Sequence, residues 1–209
     1  MALLKRLLIA TRNRGKIREI EPLLAEIGWV PVALDELPGM AEVEETGSTF
    51  AENALLKARA AAASSGLPAL ADDSGLVVDW LQGAPGVRSA RFAGEKASDA
   101  ENNARLLELL AGVPEPARTA RFCCAMALVL PDGREWLVEG SCEGIIGREP
   151  QGQGGFGYDP IFYLPEFALT MAELEPAAKN RISHRARALA RIRDILQQVQ
   201  ADPDGKGKA

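Results

Sequence analysis

Histidine occurs once in this 209-residue chain, at position 184, and cysteine three times, at Cys123, Cys124 and Cys142. A zinc site needs clustered nitrogen and sulfur donors, and no C-x-x-C spacing or second histidine supplies them. A serine-histidine triad is equally unsupported, because no G-x-S-x-G surrounds any serine. Basic excess is lacking as well: 24 Lys and Arg stand against 29 Asp and Glu, a net charge of −5. That balance argues against a nucleic-acid-wrapping surface, though it still permits a small polyanion bound through a metal and a few cations. No apolar run approaches membrane-spanning length. The opening "MALLKRLLIAT" is too short and too polar-flanked for a signal peptide, so the soluble cytoplasm is the expected location. Adjacent Cys123 and Cys124 should point to opposite faces of a strand and read as buried free thiols of a reducing compartment.

The stretch "QGQGGFGYDP", Gln151 to Pro160, does contain G-x-G-x-x-G at Gly152, Gly154 and Gly157. A dinucleotide fingerprint needs a strand before the glycines and a helix N-terminus after them to receive the pyrophosphate. Here a proline precedes and "YDPIFYLP" follows, which reads as loop and strand. A glycine loop with chance spacing is the expectation.

With 47% hydrophobic residues the chain can form one compact domain or two closely joined lobes. We read a single domain over residues 1–200 and a polar, frayed tail over 201–209. "RLLIA" is a buried strand, and "IREIEPLLAEIG" a helix with Gly28 as its stop and Pro22 kinking or shortening it. "WVPVAL" is a second strand. Thr49 and Glu52 form a capping box that opens an alanine-rich helix, and Ser98 with Glu101 opens another. "PALADDSGLVVDWL" reads as strand, acidic turn and a second apolar segment. "RTARFCCAMALVLP" and "EWLVEGSCEGIIGRE" form an antiparallel meander around "PDGR". A short helix over "MAELEPAAKN" and a long one with Leu189, Ile192, Leu196 and Val199 buried close the chain. The order predicts an α/β fold: a mixed β-sheet with flanking helices, bent into two lobes around a central substrate cleft.

Four polar clusters interrupt the apolar pattern. Thr11-Arg12-Asn13-Arg14-Gly15-Lys16 lies between the first strand and its helix. That turn suits either an anion seat with Lys16 as a mobile charge or a simple capped helix start, and it lacks Walker spacing. Glu42, Glu44 and Glu45 precede the first capping box, and Asp72 and Asp73 end a strand. Paired carboxylates repel unless a cation or hydrogen bonds compensate, so Mg2+ shared with substrate phosphates and an Asx-type turn are both open readings. The glycine loop lets backbone approach a flat ligand. Phe156 offers a stacking face there, with Asp159 expected to be extended before Pro160; the bland alternative is a hydrophobic plug over a sheet edge. Lys179 with Ser183-His184-Arg185 heads the last helix, as a hydrogen-bond donor set or a polar cap. Arg187, Arg191 and Arg193 read as a solvated face.

Taken together and in order, "TRNRGK", "EETGSTFAENALLKA", "LADDSG", "GAPGVRSARF", "GGFGYDPIF" and "KNRISHRARAL" resemble the inosine/xanthosine triphosphate pyrophosphatase family, hydrolases of noncanonical purine nucleoside triphosphates. The resemblance covers nearly the whole chain. Pro22 and the polar C-terminal extension depart from the pattern without touching a motif. The resemblance implies an elongated mixed α/β fold with a central cleft, a homodimer, and Mg2+-dependent hydrolysis of ITP, dITP and XTP to nucleoside monophosphate and pyrophosphate. Carried over by position, Thr11, Arg12, Asn13, Arg14, Gly15 and Lys16 match the phosphate-binding turn, and Lys57 matches a lysine facing the triphosphate. Glu44 and Asp73 match the metal carboxylates, with Asp73 also the general base, and Ser74 matches a substrate contact. Phe156, Gly157, Tyr158 and Asp159 match the base-binding loop; Lys179, His184 and Arg185 match the residues that read the purine edge. Two alternatives stay open: a pyrophosphatase of other modified or pyrimidine triphosphates, as in the septum-formation inhibitor family, and a nucleotide-binding regulator without turnover.

Overall fold

The computed structural model describes residues 5–37, 40 and 43–202; Glu42 of the acidic run and the tail from 203 onward lie outside the described residues. Seven strands form one mixed sheet in the order β2-β1-β3-β4-β5-β6-β7. They are β1 (Lys5–Ile9), β2 (Trp29–Ala33), β3 (Ala69–Val78), β4 (Thr119–Val129), β5 (Glu135–Ile146), β6 (Phe162–Leu164) and β7 (Leu169–Thr170). The helices are α1 (Arg14–Glu26), α2 (Phe50–Ser65), α3 (Asp99–Leu109), α4 (Pro176–Ile182) and α5 (His184–Ala201). The expected α/β class is what the strand and helix order realises.

The chain divides into two compact units. The first comprises Met1–Asp73, Ala125–Glu139 and Arg187–Ala209; the second comprises Ser74–Cys124 and Gly140–Ala186. In the first, β1 pairs in parallel with β2 (Leu7 opposite Pro31) and with β3 (Leu8 opposite Ala69). Its core sets Leu8, Val32 and Ala71 against Ala54, Ala58 and Ala62 of α2. Alanines at i, i+4 and i+8 let this helix lie close on the sheet, which brings Asn53 and Lys57 of its first turns to Asp73 in the middle of β3. In the second unit, β5, β6 and β7 pair antiparallel around a bulkier core containing Leu76, Leu106, Phe122 and Phe162.

Both capping boxes form as the sequence predicts: Thr49 accepts from Glu52 N–H, and Ser98 from Glu101 N–H. Gly66 ends α2 in the left-handed conformation. Two expectations are corrected. Of the kink or shortening expected at Pro22, the shortening does not occur: helix α1 continues four residues beyond it, because burial of Ile20 and Leu24 holds both sides of the proline. "ADDSG" is not a turn. Strand β3 runs through it without interruption, with Asp72 and Asp73 only 2% and 6% exposed.

Candidate functional site

Consecutive strand residues face opposite ways, and the two aspartates of β3 meet different cations. Asp72 Oδ2 lies 2.9 Å from Lys16 Nζ of α1. Asp73 Oδ2 accepts a 2.9 Å hydrogen bond from Asn53 Nδ2, and its Oδ1 is 3.8 Å from Lys57 Nζ. Asn53 and Lys57 are i and i+4 on α2, so one helix face presents both to one carboxylate. Lys57 also contacts Glu45 at 2.6 Å. Asn53 is itself fixed, since its Oδ1 accepts Gly47 N–H at 2.8 Å.

These pairings explain why a strand tolerates two adjacent buried acids: each charge has a partner. Burial nevertheless dominates at Asp73 and raises its carboxyl above the ordinary 3.8, against the opposing pull of Lys57 and Asn53. At Lys57 burial would lower the pKa, but Asp73, Asp72 and Glu45 together outweigh it and hold the ammonium above its ordinary value. The result is a cationic lysine beside a carboxylate with raised proton affinity.

The turn between β1 and α1 takes the capped-start form. Asn13 Oδ1 accepts from Gly15 N–H at 2.9 Å and Lys16 N–H at 3.3 Å, and Thr11 Oγ1 accepts from Asn13 N–H at 3.2 Å. Arg12 and Arg14 are exposed. Glu44 is exposed as well, and the acid placed against Lys57 is its neighbour Glu45. Sequence reading placed Glu45 in the acidic cluster without pairing it with Lys57, and assigned no role to Asn53; the i, i+4 spacing of Asn53 and Lys57 was the available signal.

The second unit gathers another cluster. In the loop from 151 to 158, a Cβ at Gly152 or Gly154 would stand within 2.8 Å of the Ala172 backbone. These glycines therefore serve close chain packing, and the loop leads into a short 3-10 turn (Asp159–Ile161) and β6, with no α-helix to receive a pyrophosphate. Asp159 begins that turn instead of being extended. Its buried carboxylate ties it down, accepting Phe156 N–H at 2.9 Å and Lys179 Nζ at 2.7 Å.

Phe156 is the flat element of this cluster. Lys179 Nζ lies 4.7 Å from its ring centroid and the Arg185 guanidinium carbon 5.7 Å, both within cation–π range. Arg185, 2% exposed, donates to Ser74 Oγ at 2.9 Å. His184 stacks on Phe122 at 4.9 Å with planes 16° apart. Tyr158 is turned inward: its hydroxyl donates to Ser89 O at 2.8 Å, and burial, reinforced by Asp99, pushes its pKa upward. Its phenol is thus a structural donor. Lys179, His184 and Arg185 are all buried, where a solvated polar cap would be exposed.

The sequence model of the Ham1 family matches residues 7–195. Among relatives, a dITP/XTP pyrophosphatase of Desulforamulus reducens is 56% identical over 93% of this chain and 96% of its own length. One of Geobacillus kaustophilus is 52% identical over 98% and 99%. Among solved structures, a HAM1 protein from Coxiella burnetii superposes with a TM-score of 0.86 at 44% identity, covering 93% of this chain and 99% of that one. A match over this span, with this identity, decides the question of kinship: the chain belongs to the Ham1 family.

Proposed function

We propose that this protein hydrolyses noncanonical purine nucleoside triphosphates, dITP, ITP and XTP, to nucleoside monophosphate and pyrophosphate. The observation that carries the reading is Asp73, a buried carboxylate of raised pKa held between Asn53 and Lys57. The two clusters have the two chemistries that the two ends of such a substrate call for. Lysines and carboxylates suit a polyphosphate; an aromatic face among buried cations suits a purine. The relatives named dITP/XTP pyrophosphatase support the same reading.

Mg2+ fits the donor set. Among the described residues no three His, Cys, Asp or Glu side chains group as a metal cage. Magnesium, however, commonly uses one or two carboxylates plus substrate phosphates, and buried Asp73 offers hard oxygens whose desolvation a cation would offset. Asp73 and an acid of the Glu44–Glu45 pair would hold it. When bound, the ion supplies neutralisation of phosphate charge.

Asp73 takes a proton from water as the water oxygen attacks phosphorus, and the anhydride bond joining the α and β phosphates breaks. Lys16 and Lys57 offset charge accumulating on the departing pyrophosphate. Phe156 stacks on the base, while donors at His184 and Arg185 favour a 6-oxo group. Adenine's 6-amino group would leave each buried donor unpaired, at about 1–3 kcal/mol. As the family resemblance implies, the protein acts as a homodimer in the cytoplasm. Among the described residues no helix is long and apolar enough to cross a membrane.

The test is a triphosphate panel with and without Mg2+, identifying both products. Hydrolysis of dITP and XTP over dATP supports the reading, and labelled water shows which phosphorus is attacked. Release of orthophosphate, equal rates on adenine substrates, or tight binding without turnover would overturn it. Sedimentation at micromolar concentration tests the dimer.

A further inference from the structure

Helix α3 carries three polar side chains at positions i, i+3 and i+4 of one face, the exposed Asp99 and the buried Asn102 and Asn103, and all three bond to loop backbone. Asp99 Oδ2 accepts Gly157 N–H at 2.7 Å, and Asn103 Nδ2 donates to Gly157 O at 3.1 Å. A single glycine is thus gripped at both its amide and its carbonyl. Asn102 does the same for the neighbouring segment, accepting from Ala93 N–H at 2.8 Å and donating to Ala90 O at 3.2 Å. Asn103 Oδ1 is buried with no hydrogen-bond partner among the described residues.

Gly157 follows Phe156 directly and sits at φ +62°. The Phe156 N–H is already taken by Asp159. Two successive amides of the loop therefore end on two carboxylates from different elements, and the backbone that carries the Phe156 ring is tied on both sides of its Cα. A carboxylate accepting an N–H is among the stronger neutral-to-charged bonds.

We propose that Asp99, supported by Asn103, is a positioning residue for purine recognition: it fixes Gly157 and through it the plane of Phe156. This rests on the base-binding reading of the loop. Asp99 has no part in the proton transfer assigned to Asp73, so its loss weakens base binding and leaves the chemical step intact.

Asp99→Ala, Asp99→Asn and Glu101→Ala separate this role from helix stability. Glu101 closes the capping box of the same turn through Ser98, with Ser98 N–H donating to it at 2.7 Å, and so reports fraying of α3 alone. In the full-length protein, Asp99→Ala should raise the dITP KM about tenfold with kcat retained and shrink dITP-over-dATP selectivity by a similar factor. Calorimetry should show dIMP binding weakened about tenfold. Asp99→Asn keeps an acceptor oxygen and should recover most of the affinity; Glu101→Ala should lower Tm without moving KM. The proposal is overturned by an unchanged KM and dIMP affinity in Asp99→Ala, by a fall in kcat at constant KM, or by an equal KM rise in Glu101→Ala. Should the wild type hydrolyse no purine triphosphate, the functional reading fails separately and dIMP affinity decides; absence of dIMP binding sinks both.

Discussion

Lys57 Nζ stands 3.8 Å from one oxygen of Asp73, while Asn53, one turn earlier on α2, donates to the other at 2.9 Å. One helix face thereby controls both oxygens of a buried acid on the adjoining strand. Much of the proposed chemistry depends on that arrangement.

Replacing Asp73 by Asn should reduce pyrophosphate release by roughly 10²–10⁴-fold, the usual contribution of a proton acceptor. Folding should not suffer. A carboxyl raised in the folded state disfavours folding once ionised; that penalty is absent below the unfolded value of 3.8 and grows as pH rises toward the folded one. In metal-free buffer at neutral pH the variant should melt at or above the wild-type Tm, and the excess should vanish in acid. Near-wild-type turnover would remove Asp73 as the base.

Lys57→Met keeps the stem but deletes the charge that opposes the rise at Asp73. The carboxyl should move further up, and since it must be ionised to accept a proton, the acid limb of kcat/KM should shift to higher pH. A rate–pH series on both proteins checks this; an unmoved limb would uncouple Lys57 from Asp73.

Arg185→Ala should narrow the preference for dITP over dATP by roughly 5- to 150-fold, the equivalent of about 1–3 kcal/mol. Because Arg185 is buried and bonded to Ser74, stability should fall too. Arg185→Lys, which keeps charge and much of the volume, should refold more of the protein while still losing selectivity. Unaltered discrimination in both variants would take Arg185 out of base reading.

At Gly155 (φ +74°) an alanine Cβ would overlap the Asp159 carboxylate, whereas at Gly157 (φ +62°) it would meet open space. Gly155→Ala should therefore destabilise by more than the about 1–2 kcal/mol that positive φ alone costs. It should also weaken dIMP binding, because Asp159 anchors Lys179 and Phe156. Thermal melts and calorimetry of the two alanine variants, side by side, measure the difference.

The legible parts of the sequence were those governed by neighbours along the chain. Capping boxes at Thr49 and Ser98, the left-handed stop at Gly66 and the long β4–β5 strands follow from spacing that local sterics and hydrogen bonding enforce. "ADDSG" misled because its composition is good turn chemistry. Compensation from Lys16, Asn53 and Lys57, 56, 20 and 16 residues away, lets the strand continue.

Sequence alone thus determined most of the helices and strands, though not the continuity of β3, and which residue types are available to grip phosphate and base, since periodicity and capping act over a few residues. Only the tertiary structure decided the pairings: Asp72 with Lys16, Asp73 with Asn53 and Lys57, Gly157 with Asp99 and Asn103, Ser74 with Arg185 across 111 positions. Such partners are selected by burial, which makes an unpaired charge or amide too costly to leave inside, and burial is a property of the whole fold.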